Sequence, residues 1–278
     1  MATRPMNFHD PRAVLRAHGL WTKKKFGQNF LISAEVPQRI VQAGGLLEND
    51  VVFEIGAGCG TLTRALAPHT GRLIALEYDR DLVPVARAEL GWADHVEIRE
   101  GNVLDVNWSS IKDEFGQAPI IYGNLPYHLS SKIILGLIEN PGQWRRACFM
   151  LQTEFAQRLT ATVGTRASSS LTAQCALWSV ASHAFDVPAR AFHPAPKVDS
   201  SVIVMESLAE PAVDVGDPKV FKSVVRALFG QRRKMVRKAL KSICADVNSL
   251  LSETDLDGQR RGETFTLDEI ARLSRSLS

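Results

Sequence analysis

The chain has 278 residues, 45% hydrophobic and 23% charged, with a formal net charge of +3, which suits one large or two smaller water-borne domains with a real core. No run approaches the roughly 20 apolar residues of a membrane span, and the Met1–Pro5 start lacks the apolar stretch of a secretory leader. The four cysteines, Cys59, Cys148, Cys175 and Cys244, lack the CxxC spacing of a zinc site; a reducing cytoplasm, no membrane contact and no bound metal are expected.

Charge is unevenly distributed. Between Met1 and Phe30 six basic residues, Lys23, Lys24 and Lys25 among them, face a single acid, Asp10. Between Lys219 and Lys241 stand nine basic residues and no acid. With a total of only +3 the remainder is acidic, so the two blocks are candidate surfaces for a polyanion. A merely solvated face is an equal reading of either block alone; the two together favour nucleic acid.

From Val51 onward short apolar runs alternate with amphipathic stretches, the signature of a parallel sheet with crossover helices. The pattern predicts strands at Val51–Ile55, Arg72–Leu76, Val96–Arg99, Ile120–Tyr122 and Ala147–Leu151, and helices at Gly60–Leu66, Asp81–Leu90, Ser130–Ile138 and Glu154–Leu159. The Ser/Thr-rich stretch Thr160–Thr172 reads as a mobile loop. Two β-branched segments, Ala184–Val187 and Val198–Met205, flank a proline-punctuated loop and are expected to close the sheet as an antiparallel pair. Ser207–Pro218 reads as a linker. Beyond it Phe221, Val224, Val225, Leu228 and Phe229 fall on one helix face, the pattern resumes with Val236, Leu240 and Ile243, and Thr266–Glu269 looks like a helix start. The expected organisation is α/β: a Rossmann-like domain over residues 1–207, followed by a small all-helical domain over residues 208–278.

Glu54-Ile55-Gly56-Ala57-Gly58-Cys59-Gly60 follows the first of these strands and opens a helix. Glycines there let the backbone turn sharply and approach a ligand that side chains would exclude. A dinucleotide fingerprint would need glycine at position 61, which is Thr61, so a pyrophosphate cofactor is disfavoured. Glu77 closes the second strand 21 residues after Gly56, where an acid commonly accepts hydrogen bonds from ribose hydroxyls. Either feature alone is an ordinary turn or a surface acid; together they describe a nucleoside site without a diphosphate grip, which S-adenosylmethionine fits. Asn102, after the third strand, stands where an adenine contact is expected, and Cys59 reads as a small filler.

Asn124-Leu125-Pro126-Tyr127 follows the fourth strand, at the edge where open α/β sheets hold ligands. An aryl amine is a poor nucleophile because its lone pair is conjugated into the ring. Acceptors on its hydrogens, here the Asn124 amide oxygen and the Leu125 carbonyl, would favour a pyramidal nitrogen with its lone pair aimed at a sulfonium methyl. Pro126 adds no competing donor and holds Leu125 extended. Tyr127 is placed to stack on an extruded base, worth roughly 1–3 kcal/mol. In isolation these four residues are a plain strand-to-helix turn; their position relative to Gly56 and Glu77 makes them a candidate reacting site.

With these residues in view, the chain closely resembles the ribosomal RNA adenine dimethyltransferases of the KsgA family. The likeness runs through Lys24–Leu31, Glu54–Gly60, Glu77, Asn124–Tyr127, Gln152–Leu159, Phe192–Ser200 and Phe229–Lys234, of which Gly27–Leu31 and Pro196–Ser200 are the more specific. The resemblance implies a class I S-adenosylmethionine-dependent methyltransferase in which Asn29 and Leu31 cover the methionine end of the cofactor. Gly56, with Gly58 in the same loop, would contact its backbone, Glu77 its ribose, Asn102 its adenine and Asn124 the reacting region. It further implies four methyl transfers to two adjacent adenosines near the 3′ end of small-subunit ribosomal RNA, late in subunit assembly, by a monomer. The RNA-binding residues expected are Lys23, Lys24, Lys25, Arg226, Arg232, Arg233, Lys234 and Arg237. Two departures stand out: the family usually has Asp at the position of Asn102, and often Asn at that of His128. Competing readings are a large-subunit adenine methyltransferase of the macrolide-resistance type, a protein glutamine methyltransferase, and a non-enzymatic RNA-binding assembly factor.

Overall fold

The computed structural model describes residues 8–23, 26–231 and 234–278. It divides into two compact units, one of residues up to Ala156 together with Ser182–Ser207, the other of Gln157–Ala181 and Leu208–Ser278. Among the described residues no helix is long and apolar enough to cross a membrane.

The first unit is built on a seven-stranded sheet. Its strands are β2 (Val51–Ile55), β3 (Arg72–Glu77), β4 (Val96–Glu100), β5 (Ile120–Asn124), β6 (Arg146–Gln152), β7 (Ser179–Val187) and β9 (Ser200–Ser207), in the order β4-β3-β2-β5-β6-β9-β7. β4 through β6 are parallel, and β9 runs antiparallel to β6. A separate two-stranded ladder joins β1 (Phe30–Leu31) to β8 (Phe192–His193), with Phe30 opposite His193 and Leu31 opposite Phe192. The chain order reverses between β2 and β5, the switch point at whose carboxyl edge doubly wound sheets open a crevice.

Helix α1 (Pro11–Ala17) precedes β1, and α2 (Glu35–Gly44), α3 (Thr61–Leu66), α4 (Val83–Leu90), α5 (Trp108–Phe115), α6 (Ser130–Ile138) and α7 (Thr153–Leu159) follow β1 to β6 in turn. The central strands read as nearly unbroken apolar runs because both faces are covered. On one face Val52, Leu73, Ile120 and Tyr122 pack with Val36, Ile40 and Leu62; Phe53 meets Trp108 edge to face. The sequence pattern does not predict α1, α2 or α5. α2 carries Pro37 in its first turn, where a missing N–H costs nothing.

The second unit packs α8 (Ser170–Trp178), α9 (Pro218–Gly230), α10 (Val236–Ala239), α11 (Val247–Glu253) and α12 (Leu267–Arg275) around its own core. The predicted inner face of α9 (Phe221, Val224, Val225, Leu228, Phe229) is buried, and Thr266 and Glu269 cap α12 reciprocally. One expectation is corrected. The Ser/Thr-rich stretch is not a loose loop throughout: Ser169 and Thr172 form a capping box that starts α8, and Ser168 is fully buried with its hydroxyl donating to the Thr165 carbonyl. Hydroxyl side chains that favour loops are the same ones that favour helix starts. α8 places Ala173 and Leu177 in this core, and the compact second unit takes in Gln157–Ala181. Within the expected linker Ser207–Pro218, residues 208–217 are irregular backbone, while Ser207 ends β9, Pro218 opens α9, Val215 is buried and Asp217 caps α9.

Candidate active site

At the switch point a cavity of about 460 Å³ opens. It is lined by segments 26–31, 54–59, 76–79, 101–104 and 124–129 together with Thr61, Leu62 and Leu82. All of these belong to the first unit, and every cofactor-binding and catalytic residue expected from the sequence is among them.

One wall is the loop after β2. Gly56, Gly58 and Gly60 adopt φ values of 82°, 56° and 79°, a region that side-chain-bearing residues enter only at a cost. A side chain on Gly60 would also meet Leu90 at 2.4 Å. Glu77 braces this loop: its Oε2 accepts from the Gly58 N–H at 2.7 Å and its Oε1 from the Asp79 N–H at 2.7 Å. Each carboxylate oxygen has the capacity to accept a further hydrogen bond. Burial pushes the Glu77 carboxyl above the ordinary range, against those hydrogen bonds. Cys59 is buried, its thiol pushed up to about 12, which suits a filler and not a nucleophile.

Asn102 opens a short turn over Val103–Asp105, its Oδ1 accepting from the Leu104 N–H at 3.1 Å. That hydrogen bond occupies one lone pair of the single oxygen which, in an aspartate, would be joined by a second charged one.

The second wall is a strap of residues 26–31, held at both ends. At one end Lys23 Nζ donates to Asp79 at 2.7 Å and to Asp81 at 2.5 Å, while Gln28 Nε2 donates to the other oxygen of Asp79 at 2.9 Å. Lys23, expected to face RNA, is thus committed to this clamp. Asp79 is buried; burial would raise its pKa, yet Lys23 and Gln28 hold it below the ordinary value. At the other end the β1–β8 ladder and the Ile32 N–H bond to the Ala191 carbonyl, at 2.8 Å, fix Phe30–Ile32. Between them Asn29 turns its backbone carbonyl to Asn124.

That contact orients the Asn124 amide. Asn124 Nδ2 donates to the Asn29 carbonyl at 2.9 Å. A carbonyl takes only a donor, so the amide nitrogen faces the strap and Oδ1 is left as an acceptor for a ligand. The Leu125 side chain is buried and its N–H donates to the Met150 carbonyl at 3.2 Å. Pro126 and Tyr127 line the cavity, and the Tyr127 hydroxyl lies 2.8 Å from Ser200 Oγ. His128 also lines it and is exposed.

Sequence reasoning missed four features of this cavity. Phe26 and Tyr78 meet edge to face at 5.6 Å, and Tyr78 is 62% exposed at the lining. The Asp79 clamp and the Tyr127–Ser200 contact join residues far apart in the chain. Glu54 is 1% exposed, its Oε2 without a hydrogen-bond partner among the described residues. Burial pushes its carboxyl up to about 8, Glu77 reinforcing and Thr63 opposing, so this acid is protonated at neutral pH.

In the second unit Arg226, Lys234 and Arg237 are exposed. Lys24, Lys25, Arg232 and Arg233 lie outside the described residues.

The model of the family described as ribosomal RNA adenine dimethylase matches residues 20–277. The chain is 40% identical over 265 residues to a ribosomal RNA small subunit methyltransferase A of Magnetococcus marinus, covering 95% of each chain. It is 36% identical to the protein of that name from Shouchella clausii, covering 95% of this chain and 93% of the relative. Among solved structures, a dimethyladenosine transferase from Plasmodium falciparum superposes with a TM-score of 0.74 at 22% identity, over 88% of this chain and 95% of that one. The 23S rRNA methyltransferase ErmE does so with 0.70 at 24%, over 90% and 99%; at such identities the likeness is one of fold. The chain therefore belongs to the ribosomal RNA adenine dimethylase family, enzymes that methylate adenine in ribosomal RNA with S-adenosylmethionine.

Proposed function

We propose that this chain places two methyl groups on the 6-amino nitrogen of each of two adjacent adenosines near the 3′ end of small-subunit ribosomal RNA, acting in the cytoplasm as a monomer on an immature small subunit. The observation that carries the chemistry is the orientation of Asn124, whose amide nitrogen is spent on the Asn29 carbonyl and whose oxygen is thereby reserved for an amine hydrogen. Bound S-adenosylmethionine supplies an electrophilic methyl. Asn124 Oδ1 and the Leu125 carbonyl draw the two amine hydrogens out of the ring plane, Tyr127 covers the base, and the proton leaves to solvent once the nitrogen has become cationic. The chain itself has no need of a strong base.

Support for the small-subunit target is the relatives named ribosomal RNA small subunit methyltransferase A, matched along nearly their whole length. Glu77 would take the ribose, Gly56 and Gly58 the cofactor backbone, Asn102 its adenine, and Asn29 and Leu31 its methionine end. Arg226, Lys234 and Arg237, with Arg232 and Arg233, would meet RNA phosphates.

The test is to incubate the protein and labelled cofactor with immature small subunits and, separately, with protein-free large-subunit RNA, then digest and identify the methylated nucleoside. N6,N6-dimethyladenosine from the small subunit alone is expected. Product from the large-subunit RNA alone would move the enzyme to the macrolide-resistance type, and none from either would leave a binding role.

A further inference from the structure

We infer that Ser200 is a positioning residue for methyl transfer, holding the Tyr127 ring in the place where it receives the target base; this rests on the proposed stacking role of Tyr127.

Ser200 is fully buried and opens β9, opposite Gln152 on β6. Its backbone is pinned on both sides. The Asp199 carboxylate accepts from the Ala189 N–H at 2.8 Å, and the Asp199 carbonyl accepts from the Thr153 N–H at 3.1 Å. The next residue, Ser201, donates its hydroxyl to Asp186 at 2.6 Å. What remains free is the Ser200 hydroxyl rotor, and it meets the Tyr127 hydroxyl at 2.8 Å, either oxygen being able to donate.

A tyrosine has two soft side-chain torsions; a hydrogen bond at its hydroxyl stops the ring swinging about the first, while the hydroxyl lies on the axis of the second and biases it only through the in-plane preference of the phenol O–H. Tyr127 needs such a fix because it stands in a turn: Pro126 precedes it, and α6 begins only at Ser130. The ring is half-buried and lines the cavity, so one part of it faces the ligand space while its tip is tied behind. A ring free to swing would have to be ordered again at each extrusion of the base, and that ordering would come out of the stacking energy.

The segment that carries Ser200 also carries β8, whose ladder with Phe30–Leu31 holds the strap that orients Asn124. Residues 191–200 therefore brace both halves of the reacting site: Asn124 through the strap and Tyr127 through one hydroxyl pair. The pair is a separable contribution, because Ser200→Ala leaves the β1–β8 ladder and the Asn29–Asn124 bond untouched.

The experiment is a double-variant cycle on the full-length protein with immature small subunits. Single-turnover methyl transfer, cofactor affinity and thermal midpoint are measured for Ser200→Ala, Ser200→Thr, Tyr127→Phe and the Ser200→Ala/Tyr127→Phe pair. A lost hydrogen bond of ordinary strength predicts a rate about five- to tenfold lower for Ser200→Ala and for Tyr127→Phe, and no further loss in the pair. Cofactor affinity stays within about twofold, and Ser200→Thr, which keeps the hydroxyl, recovers most of the rate. A normal rate for Ser200→Ala overturns the inference, as do losses that multiply in the pair or a cofactor affinity that falls in step with the rate. If Ser200→Ala does not fold, Tyr127→Phe and Ser200→Thr decide: a normal Tyr127→Phe rate overturns it. Failure of the underlying functional reading is recognised separately, by wild-type protein that makes no dimethyladenosine on these particles.

Discussion

Asn124 and Asn29 are 95 positions apart and joined by one hydrogen bond, from the Asn124 amide nitrogen to the Asn29 carbonyl at 2.9 Å. The strap along the cavity thereby sets the direction of the oxygen that we propose grips the substrate amine. Cofactor side and base side are one mechanical unit. An aspartate at 124 would face the same carbonyl without a donor, so shape alone would not preserve the arrangement.

The Lys23 clamp should govern cofactor retention. Lys23→Met removes both ion pairs to Asp79 and Asp81 while Gln28 still donates to Asp79. Removing one partner of a buried charge is costly, and the strap is expected to loosen. Isothermal titration with S-adenosylmethionine should give an affinity about five- to tenfold weaker, with base methylation at saturating cofactor changed less.

Glu54 should carry a pH signature in stability. Its folded-state carboxyl titrates at about 8, raised by burial, whereas an unfolded glutamate titrates near 4.3. The folded chain holds this proton longer, so the stability it contributes is present below about 4.3 and lost as pH rises to about 8, at roughly 1.4 kcal/mol per pH unit. Glu54→Gln abolishes that slope. Thermal midpoints of the two proteins should converge at low pH and separate, the variant the more stable, towards pH 8; parallel curves would contradict this.

Much of this site is legible in the sequence, for a physical reason. A glycine loop needs glycine because three of its residues take positive φ. For the ribose and amine contacts we propose, an acid is needed at the close of the next strand and an amide at the end of the strand at the switch point; each is a demand on residue type at short range. The contacts that escaped are long-range: Lys23 to Asp79 spans 56 positions, and Tyr127 to Ser200 spans 73. Nothing in Lys23-Lys24-Lys25 marks the first lysine as different from its neighbours; only the folded chain brings Asp79 beneath it. The sheet was readable because apolar runs and helical faces alternate from Val51 on. The ladder of Phe30–Leu31 with Phe192–His193 was not, being two residues long on each side. Helix α8 hid behind a Ser/Thr-rich start that serves equally as loop or cap.

Asn102 offers a single oxygen that already accepts the Leu104 N–H at 3.1 Å. Asn102→Asp supplies a second, charged oxygen for a ligand donor. Charge-assisted hydrogen bonds are roughly twice as strong as neutral ones, so the variant should bind S-adenosylmethionine about three- to tenfold more tightly. Competition binding with adenosine should show a gain of similar size, which places it at the adenine end; an unchanged affinity for both would remove Asn102 from the site.

The basic block of the second unit should set the salt dependence of RNA binding. If about five of its residues meet phosphates, log affinity should fall with log salt at a slope near −3.5. Arg226→Glu and Arg237→Glu, both exposed positions, should flatten that slope while leaving the affinity for free cofactor unchanged.

The most direct measurement is single-turnover methylation of immature small subunits by Asn124→Ala, paired with its binding to the same particles. Loss of the amide removes the acceptor for the amine hydrogen and the tie to the strap. Methyl transfer should fall by at least about a hundredfold while particle binding stays within about threefold. A variant that dimethylates adenosine at the wild-type rate would contradict the assignment of the reacting end.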